Sequence, residues 1–461
     1  MSRGLLCACA CALLTACAVG PNYKKPVMST AASYKELGDW KPSEPADALT
    51  RGPWWNIFHD DTLSALEAQV EVSNENVKSA ADAYEEAQAL LSEARAGYWP
   101  TLSASGSRQR TVAGTGRPQI LNSVGVRGDW TVDIWGQVRR SAESSHANAQ
   151  ASAAALAGAK LSAQAALATA YFELRAQDQL QTILNDIVAA QEASLKITQN
   201  RYRVGVAAKA DVVSAQTQLL SSQSEQVNAS ILRATLEHAI AVLLGRQPAE
   251  FSQSAAPIRT DVPTVPTGVP STLLERRPDI AEAERNVAAA NAEIGVAETA
   301  FFPSLTLTGS DDYTGGTISK LIRASNRVWS IGPELALTLF NGGARRAQVR
   351  AAKAAYQIRV DDYRQTVLSG FQDVEDQLVR LRVLEKQAAI EEQAVTAARE
   401  AERLTLNQYK AGTVPYSSVI TAQTARLNAE LTAISVLSSR LTSSVALIQD
   451  LGGGWDTSQM K

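Results

Sequence analysis

The chain has 461 residues and very little sulfur, and most of the sulfur lies at one end. Every cysteine falls within the first seventeen residues, namely Cys7, Cys9, Cys11 and Cys17. The remainder of the chain can therefore hold neither a disulfide nor a cysteine-based metal site. After the initiator, methionine occurs only at Met28 and Met460, and none of the three histidines has a second histidine or a cysteine at ligand spacing. We predict no metal site and no cofactor.

Other absences narrow the class of protein. The formal net charge of −3 gives no case for nucleic-acid binding, and aromatic residues make up only 6% of the chain. No run of eighteen apolar residues follows the N-terminal segment, so no transmembrane helix is predicted. The glycines of 452–454 follow a helical stretch and not a strand, so they do not form a phosphate-binding loop. With no nucleophile and base in evident pairing, the chain is not expected to be an enzyme.

The first seventeen residues have the layout of a bacterial export signal. Arg3 precedes an apolar run from Leu5 to Leu14, and the sequence LTAC that ends at Cys17 resembles a lipobox. We therefore predict a signal peptide over residues 1–16 and a lipid anchor on Cys17, as an S-diacylglyceryl and an N-palmitoyl group. Several acyl chains together anchor a protein stably in a membrane. The alternative is an ordinary signal peptide that happens to contain cysteines.

The rest of the chain is a duplicated unit. Four motifs of the first half return in the same order in the second half, which indicates an internal repeat. The tyrosines of one pair, Tyr202 and Tyr409, are 207 residues apart. The matched motifs are GYWPTL and AFFPSL, DIWG and TLFN, RYRVG and QYKAG, and VVSAQTQL and VITAQTARL.

Each repeat is predicted to contain one very long helix. Apolar residues and alanines recur at three- and four-residue spacing through 141–203 and 344–410. At about 1.5 Å per residue, helices of roughly 60 to 65 residues would span roughly 90–100 Å. Helices of this length need partners along their whole length, as in coiled coils.

Two stretches in each repeat alternate between apolar and polar residues, which predicts strands. This alternation is typical of a small sheet packed on helices, and equally of a membrane barrel whose apolar face contacts lipid. The lipid anchor, and the lack of a helix to cover the sheet, favour the barrel. The side chains then expected to face lipid are Val126, Trp130, Val132, Ile134, Leu335, Leu337 and Leu339.

Four strands cannot close a barrel, and an open sheet edge is costly in hydrocarbon because its backbone groups are unpaired. Other copies of the chain must therefore complete the sheet, and three copies would supply twelve strands. We predict a mainly α fold with a transmembrane β-barrel, built by a homotrimer that also forms an α-helical periplasmic tunnel. The loops 111–122 and 311–327 are expected outside the cell.

The chain resembles the TolC/OprM/NodT family of outer membrane factors, the exit ducts of tripartite efflux systems. The resemblance covers nearly the whole chain after the signal. Its motifs are CAVGPNYKKP, PWWNIFHDDTLSALE, LLERRPDIAEAE and the two Tyr-x-x-Gly repeats. It implies a homotrimer among outer membrane lipids, a periplasmic adaptor, and an inner-membrane pump that is commonly of the resistance-nodulation-division type.

The resemblance also implies where the channel closes. In the family, the helix after each Tyr-x-x-Gly lies beside a periplasmic constriction, which here contains Ser417, Ser418 and Thr421. Asp211 matches the family's acidic partner of a tyrosine, here Tyr409, and this pair is expected to latch adjacent coiled coils. The alternative for Asp211 is a helix N-cap or a first-turn carboxylate, which the helix dipole favours. Relatives have one or two aspartates in the closing ring of the second repeat, so weaker charge selectivity is expected here.

These patterns divide the chain into six segments. They are the signal peptide (1–16), an N-terminal equatorial segment (17–61), the first repeat (62–245), a proline-rich linker (246–272), the second repeat (273–452) and a tail (453–461). The predicted function is the outer membrane channel of a tripartite efflux system. The alternatives are a periplasmic coiled-coil structural lipoprotein and a duct for type I secretion.

Overall fold

The computed structural model describes residues 18–37, 53–112, 114, 116–265 and 273–455. Cys17 and the signal peptide lie outside these residues, as do parts of the predicted linker and tail. The helices are α1 (Asp61–Ser73), α2 (Glu75–Ala96), α3 (Gln137–Arg203), α4 (Lys209–Leu243), α5 (Leu273–Arg276), α6 (Pro278–Thr299), α7 (Ala344–Ala411) and α8 (Tyr416–Asp450). The strands are β1 (Thr101–Thr111), β2 (Gln119–Val132), β3 (Ser304–Gly315) and β4 (Arg327–Ala336).

The order of these elements repeats. A helix of 22 residues leads into two strands, a helix of 67 or 68 residues and a helix of 35 residues, first from α2 to α4 and again from α6 to α8. The mainly helical fold, the four strands and the duplication are therefore confirmed. The two longest helices begin and end within four residues of their predicted bounds.

The chain divides into two compact units, and the one formed by 1–28, 83–153 and 282–365 contains the sheet. Its strands pair antiparallel in the order β1-β2-β3-β4, so β1 and β4 are edge strands. The register places Leu305 opposite both Val132 and Leu335. Because directly paired residues point to the same face, most of the large apolar residues of the strands share one face, whereas Leu121 and Val328 lie on the other.

The strands end earlier than the alternation predicted. β2 ends at Val132 and β4 at Ala336, so Ile134, Leu337 and Leu339 lie in irregular segments that lead to α3 and α7. Pairing extends further at the opposite ends, where the connections are 112–118 and 316–326. The prediction was wrong there because apolar alternation continues past the last paired residue and does not by itself end a ladder.

Asp133 explains why β2 stops where it does. Its two carboxylate oxygens accept hydrogen bonds from the backbone N–H groups of Val138 and Arg139, each at 2.9 Å. These groups lie in the first turn of α3 and have no partner within the helix. The carboxylate therefore turns the chain from strand to helix.

The segment after Cys17 is bound to α3 and faces α6. Arg140 donates from Nε to the carbonyl oxygen of Val19 at 3.1 Å. Gly20 has a φ of +96°, and a Cβ atom at this position would lie 2.4 Å from the Cα atom of Gly295. This close approach requires glycine at position 20 and accounts for the glycine in the N-terminal motif.

The second unit, formed by 29–82, 154–281 and 366–461, contains α4, α8 and most of the length of α3. Ile183, Leu184 and Ile187 of α3 form a buried cluster with Leu427 of α8. Their three- and four-residue spacing is that of one helix face. The predicted side-by-side packing of long helices is therefore present.

The helix α8 differs from one expectation. By length and composition alone it is long and apolar enough to cross a membrane. Less than half of its most apolar stretch is buried within the chain. The same helix packs on α3 through Leu427 and buries Leu441, Val445 and Leu447, so part of its apolar face serves helix packing.

Candidate functional site

The sheet has an apolar face whose side chains are largely exposed within one chain. Val126 is 50% exposed and Leu335 is 68% exposed, whereas Trp130 and Val132 are half-buried. Trp130 also donates from Nε1 to the carbonyl oxygen of Tyr98 at 3.0 Å. A contiguous exposed apolar surface is typical of a site that contacts a membrane or another protein.

The three predicted lipid-facing residues that lie beyond the strand ends are also wholly or partly exposed. Leu337 is 46% exposed and Leu339 is 90% exposed, and Ile134 is half-buried. The contact of all seven side chains with lipid stays a prediction.

The opposite face of the sheet is rich in hydroxyl groups. Ser107 and Ser123 join β1 to β2 with an Oγ–Oγ distance of 2.8 Å, and Ser310 and Ser330 join β3 to β4 at 3.1 Å. A sheet with one apolar and one polar face suits a boundary between lipid and water.

The two helical hairpins of the second unit end in the same turn, between α3 and α4 and between α7 and α8. In each, the glycine N–H donates to the carbonyl of the tyrosine three residues earlier at 3.0 Å. The next N–H reaches the residue before the tyrosine at 2.9 or 3.0 Å. This is the Schellman motif, and Gly205 and Gly412 take the left-handed conformation that it needs, with φ of +78° and +83°. The Tyr-x-x-Gly repeats are helix ends.

The side chains around the two turns differ. Tyr409 and Tyr416 at the second turn are 3% and 1% exposed, with ring centroids 5.2 Å apart. They form an aromatic cluster with Ala215 of α4 and Val419 of α8. At the first turn, Tyr202 is 45% exposed. The second turn is thus packed and the first is open.

The predicted latch residues lie around this aromatic cluster without a direct bond. The Tyr409 hydroxyl donates to Thr198 Oγ1 of α3 at 3.3 Å, and in the described ranges no hydrogen bond joins it to Asp211. Asp211 is half-buried in the first turn of α4, four residues before Ala215. Burial raises the pKa of the Tyr416 hydroxyl, and the charges of Tyr409 and Asp211 raise it further.

The predicted constriction residues occupy the first turns of α8. Ser417 and Thr421 are exposed and Ser418 is half-buried. The Thr421 hydroxyl donates to the carbonyl of Ser417 at 3.1 Å, which is a local bond within the helix. No carboxylate occurs among residues 411–421, so this face presents hydroxyl groups.

Arg201 joins the two turns, and sequence reasoning missed it. It donates from Nη1 to the carbonyl oxygen of Lys410 at 2.8 Å, and its guanidinium lies 4.8 Å from the ring centroid of Tyr409. Such a cation–π contact stabilises the pair by about 0.5–2 kcal/mol. The arginine directly precedes a repeat tyrosine, which is the signal that could have found it.

A second residue that the sequence did not single out is Glu67 of α1. Its side chain is completely buried, and neither carboxylate oxygen has a hydrogen-bond partner in the described part of the chain. Burial raises the pKa of this carboxyl to about 9. The group is therefore protonated and neutral at pH 7. Leu63, Leu66 and Val70 lie on the same helix face, and this spacing could have predicted the burial.

Comparisons with known proteins extend over both repeats. A family profile described as outer membrane efflux protein matches residues 66–246 and 269–453. The chain is 31% identical over 457 residues to TtgC of Pseudomonas putida, a probable efflux pump outer membrane protein, covering 96% of this chain and 94% of TtgC. It is 30% identical over 424 residues to nodulation protein T of Rhizobium leguminosarum bv. trifolii, with 89% of each covered. The solved structure of the outer-membrane channel OprN has a TM-score of 0.89 at 28% identity, covering 95% of this chain and 100% of OprN.

Proposed function

Because the chain belongs to the outer membrane efflux protein family and is the outer membrane channel of a tripartite efflux system, we propose that three copies close one barrel of twelve strands. The predicted resemblance, and the prediction that the chain is a channel component and not an enzyme, are confirmed by the family match. Neither the structural lipoprotein nor the secretion duct is supported.

The observation that carries the trimer proposal is the two-faced sheet with free edges. Most of its large apolar residues share one face and its serine and threonine hydroxyl groups the other, and β1 and β4 each lack a neighbour on one side within the described chain. In hydrocarbon those edges need partners, because each unpaired backbone group costs several kcal/mol. A closed ring of three copies satisfies both edges and encloses the hydroxyl-rich face as an aqueous lumen.

The anchor and the partners follow from the same proposal. Cleavage before Cys17 leaves a lipid-modified N-terminus, which holds the chain at the periplasmic face of the outer membrane. The helical hairpins extend toward a periplasmic adaptor and an inner-membrane pump, which we assign to the resistance-nodulation-division type. Exported compounds then pass through the duct without chemical change.

The neck of the channel is formed at the second turn. Three copies would bring rings of Ser417, Ser418 and Thr421 together, while Asp211 and Tyr409 latch neighbouring hairpins when the neck is closed. Hydroxyl rings attract cations far less than rings of carboxylates do. The neck is therefore weakly charge-selective.

Gel electrophoresis and membrane fractionation test the proposal. Unheated full-length protein in detergent should migrate as a trimer that heating dissociates, and the trimer should be found in the outer membrane fraction. Crosslinks from the 204–208 and 412–415 turns should capture an adaptor. A monomer that Cys17→Ala releases into the soluble fraction would contradict the barrel.

A further inference from the structure

The end of the β1–β2 hairpin that carries the connection is basic, and no acid lies near it in the sequence. From residue 94 to residue 128 the sequence has no aspartate or glutamate. Three arginines lie at the far end of this strand hairpin from the helices, namely Arg108, Arg110 and Arg117.

Two of these arginines point to the apolar face of the sheet. Arg108 pairs with Asn122 and Arg110 with Ile120, and both partners alternate in phase with Val126 of β2. Paired residues of antiparallel strands project to the same side. Arg108 and Arg110 therefore extend the face that carries the exposed apolar residues.

Their position along the strand is beyond the apolar residues. Leu102 and Ala104 come first in β1, directly after the chain leaves α2, and the arginines follow toward the connection. Arg108 is six residues past Leu102, which is about 20 Å along a strand. In the proposed barrel this end faces the outside of the cell, so both guanidinium groups reach the level of the outer headgroups.

Neither arginine is neutralised by a carboxylate of the described residues. Both are exposed, and within the described ranges no ion pair joins either one to a carboxylate. The comparable arginine of the second strand hairpin behaves differently, because Arg327 forms two hydrogen bonds to Asp311, each at 2.8 Å. Charge on the lipid-facing side of a barrel is destabilising at the membrane centre and tolerated at the interface, where headgroups supply counter-charge.

We propose that Arg108 and Arg110 bind the phosphate groups of outer-leaflet lipid. The guanidinium group forms paired hydrogen bonds with phosphate oxygens. Two arginines on the same face of one strand lie about 7 Å apart. They can bind two phosphate groups, or both can bind oxygens of the same phosphate group. The inference rests on the proposed barrel and adds a lipid-binding site to it.

Native mass spectrometry of the full-length protein tests the site. Wild type, R108Q/R110Q and the control K320Q/R323Q are mixed with diphosphorylated lipid A or with its dephosphorylated form. Lys320 and Arg323 lie in the connection of the second strand hairpin, so the control removes the same charge from a loop at the same end of the sheet. Wild type and the control should retain the diphosphorylated lipid at least about tenfold better than the dephosphorylated form, and R108Q/R110Q should lose this preference.

Three results would overturn the site. They are the absence of a preference in wild type, an equal loss in the control, and displacement of the lipid by inorganic phosphate at the same concentration, which would indicate a site for the free anion. The single variants R108Q and R110Q, each expected to lose part of the preference, replace the double variant if it does not assemble. Single-channel recordings separate the two proposals, since a wild type that conducts normally without the preference lacks only the lipid site. A wild type that forms no channel contradicts the barrel itself.

Discussion

The two helical turns share a backbone and differ in almost every side chain around it. Both end a helix with Tyr-x-x-Gly and the same pair of hydrogen bonds. The residues that match across the repeat, 207 positions apart, are Tyr202 and Tyr409, Lys209 and Tyr416, and Asp211 and Ser418. The first turn is charged and open, whereas the second is aromatic and buried. Duplication thus kept the motif that ends the helix and left the surroundings free to specialise.

The two strand hairpins, which lie in the other unit, show the same divergence. Arg108 and Arg110 of the first have no acidic partner in the described residues, whereas Asp311 neutralises Arg327 in the second. A ladder needs only backbone pairing and alternation, so its side chains were free to diverge. The two repeats therefore share their backbone structure and differ in their surface side chains.

Substitution of the two matched tyrosines should give the largest difference in stability between the two turns. Tyr409→Ala removes a buried ring and should destabilise the second turn by about 3–5 kcal/mol. Tyr202→Ala removes an exposed ring and should cost less than about 1 kcal/mol. Hydrogen exchange of residues 405–420 and 198–213 measures both effects, and equal acceleration in the two variants would refute the contrast.

The starts of the repeats differ as well, because α1 has 13 residues and its counterpart α5 has four. Glu67 of α1 has a folded-state pKa of about 9, above its ordinary value of 4.5, so folding favours the protonated form. This contribution to stability is complete below pH 4.5 and is lost as the pH rises toward 9, at no more than about 1.4 kcal/mol per pH unit. Glu67→Gln keeps the side chain neutral and should remove this pH dependence.

Denaturation at pH 5 and at pH 8 measures the Glu67 effect. The free energy of unfolding of wild type should fall, relative to Glu67→Gln, between the two values. Glu71, which lies one turn later and is exposed, supplies the control Glu71→Gln, which should leave the wild-type pH dependence in place. Parallel curves for wild type and Glu67→Gln would mean that Glu67 is ionised in the folded chain.

The bridge between the turns should have a smaller effect. Arg201→Ala removes the bond to the Lys410 carbonyl and the contact with the Tyr409 ring. We expect a loss of about 1–2 kcal/mol, seen as amide exchange about 5 to 30 times faster at Gly412 and Thr413. The matched control is Gln408→Ala, which changes the residue before the other repeat tyrosine and should have little effect. Similar amide exchange rates in the two variants would show that Arg201 does not stabilise the second turn.

Ser418→Asp should change selectivity and leave stability nearly unaltered, because Ser418 is half-buried in the first turn of α8, where a carboxylate interacts favourably with the helix dipole. It gives the second turn the acid that the first turn has at Asp211. In three copies, the new carboxylates should make the conductance about tenfold more sensitive to divalent cations. Ser417→Asn, which is polar and uncharged, is the control. If divalent cations block the Ser418→Asp channel no more strongly than the wild-type channel, the narrowest part of the channel is not formed by residue 418.

The features that depend on residues close together in the sequence could be predicted from it. The Tyr-x-x-Gly ends, the long helices and the alternation of the strands are all set by neighbours within a few residues. The contacts between hairpins were not accessible in this way. Tyr409 bonds to Thr198, which is 211 residues away, because two helices pack in one particular register, and no local pattern states that register.

The prediction of where the strands end was wrong for a related reason. Ile134, Leu337 and Leu339 continue the apolar alternation, yet the ladder stops before them. At Asp133 the end is decided by bonds to the first turn of α3, which compete with pairing. Glu67 is the opposite case, since its place on the face of Leu63, Leu66 and Val70 was legible in the sequence.

The conductance of the wild-type trimer in a planar bilayer, with divalent cations added on the side of the helical turns, tests the account most directly. We predict a stable conducting channel that millimolar magnesium reduces only mildly, because the second turn presents hydroxyl groups and no carboxylate. A block at micromolar magnesium would contradict the hydroxyl-lined neck, and a preparation of intact trimers that never conducts would contradict the channel.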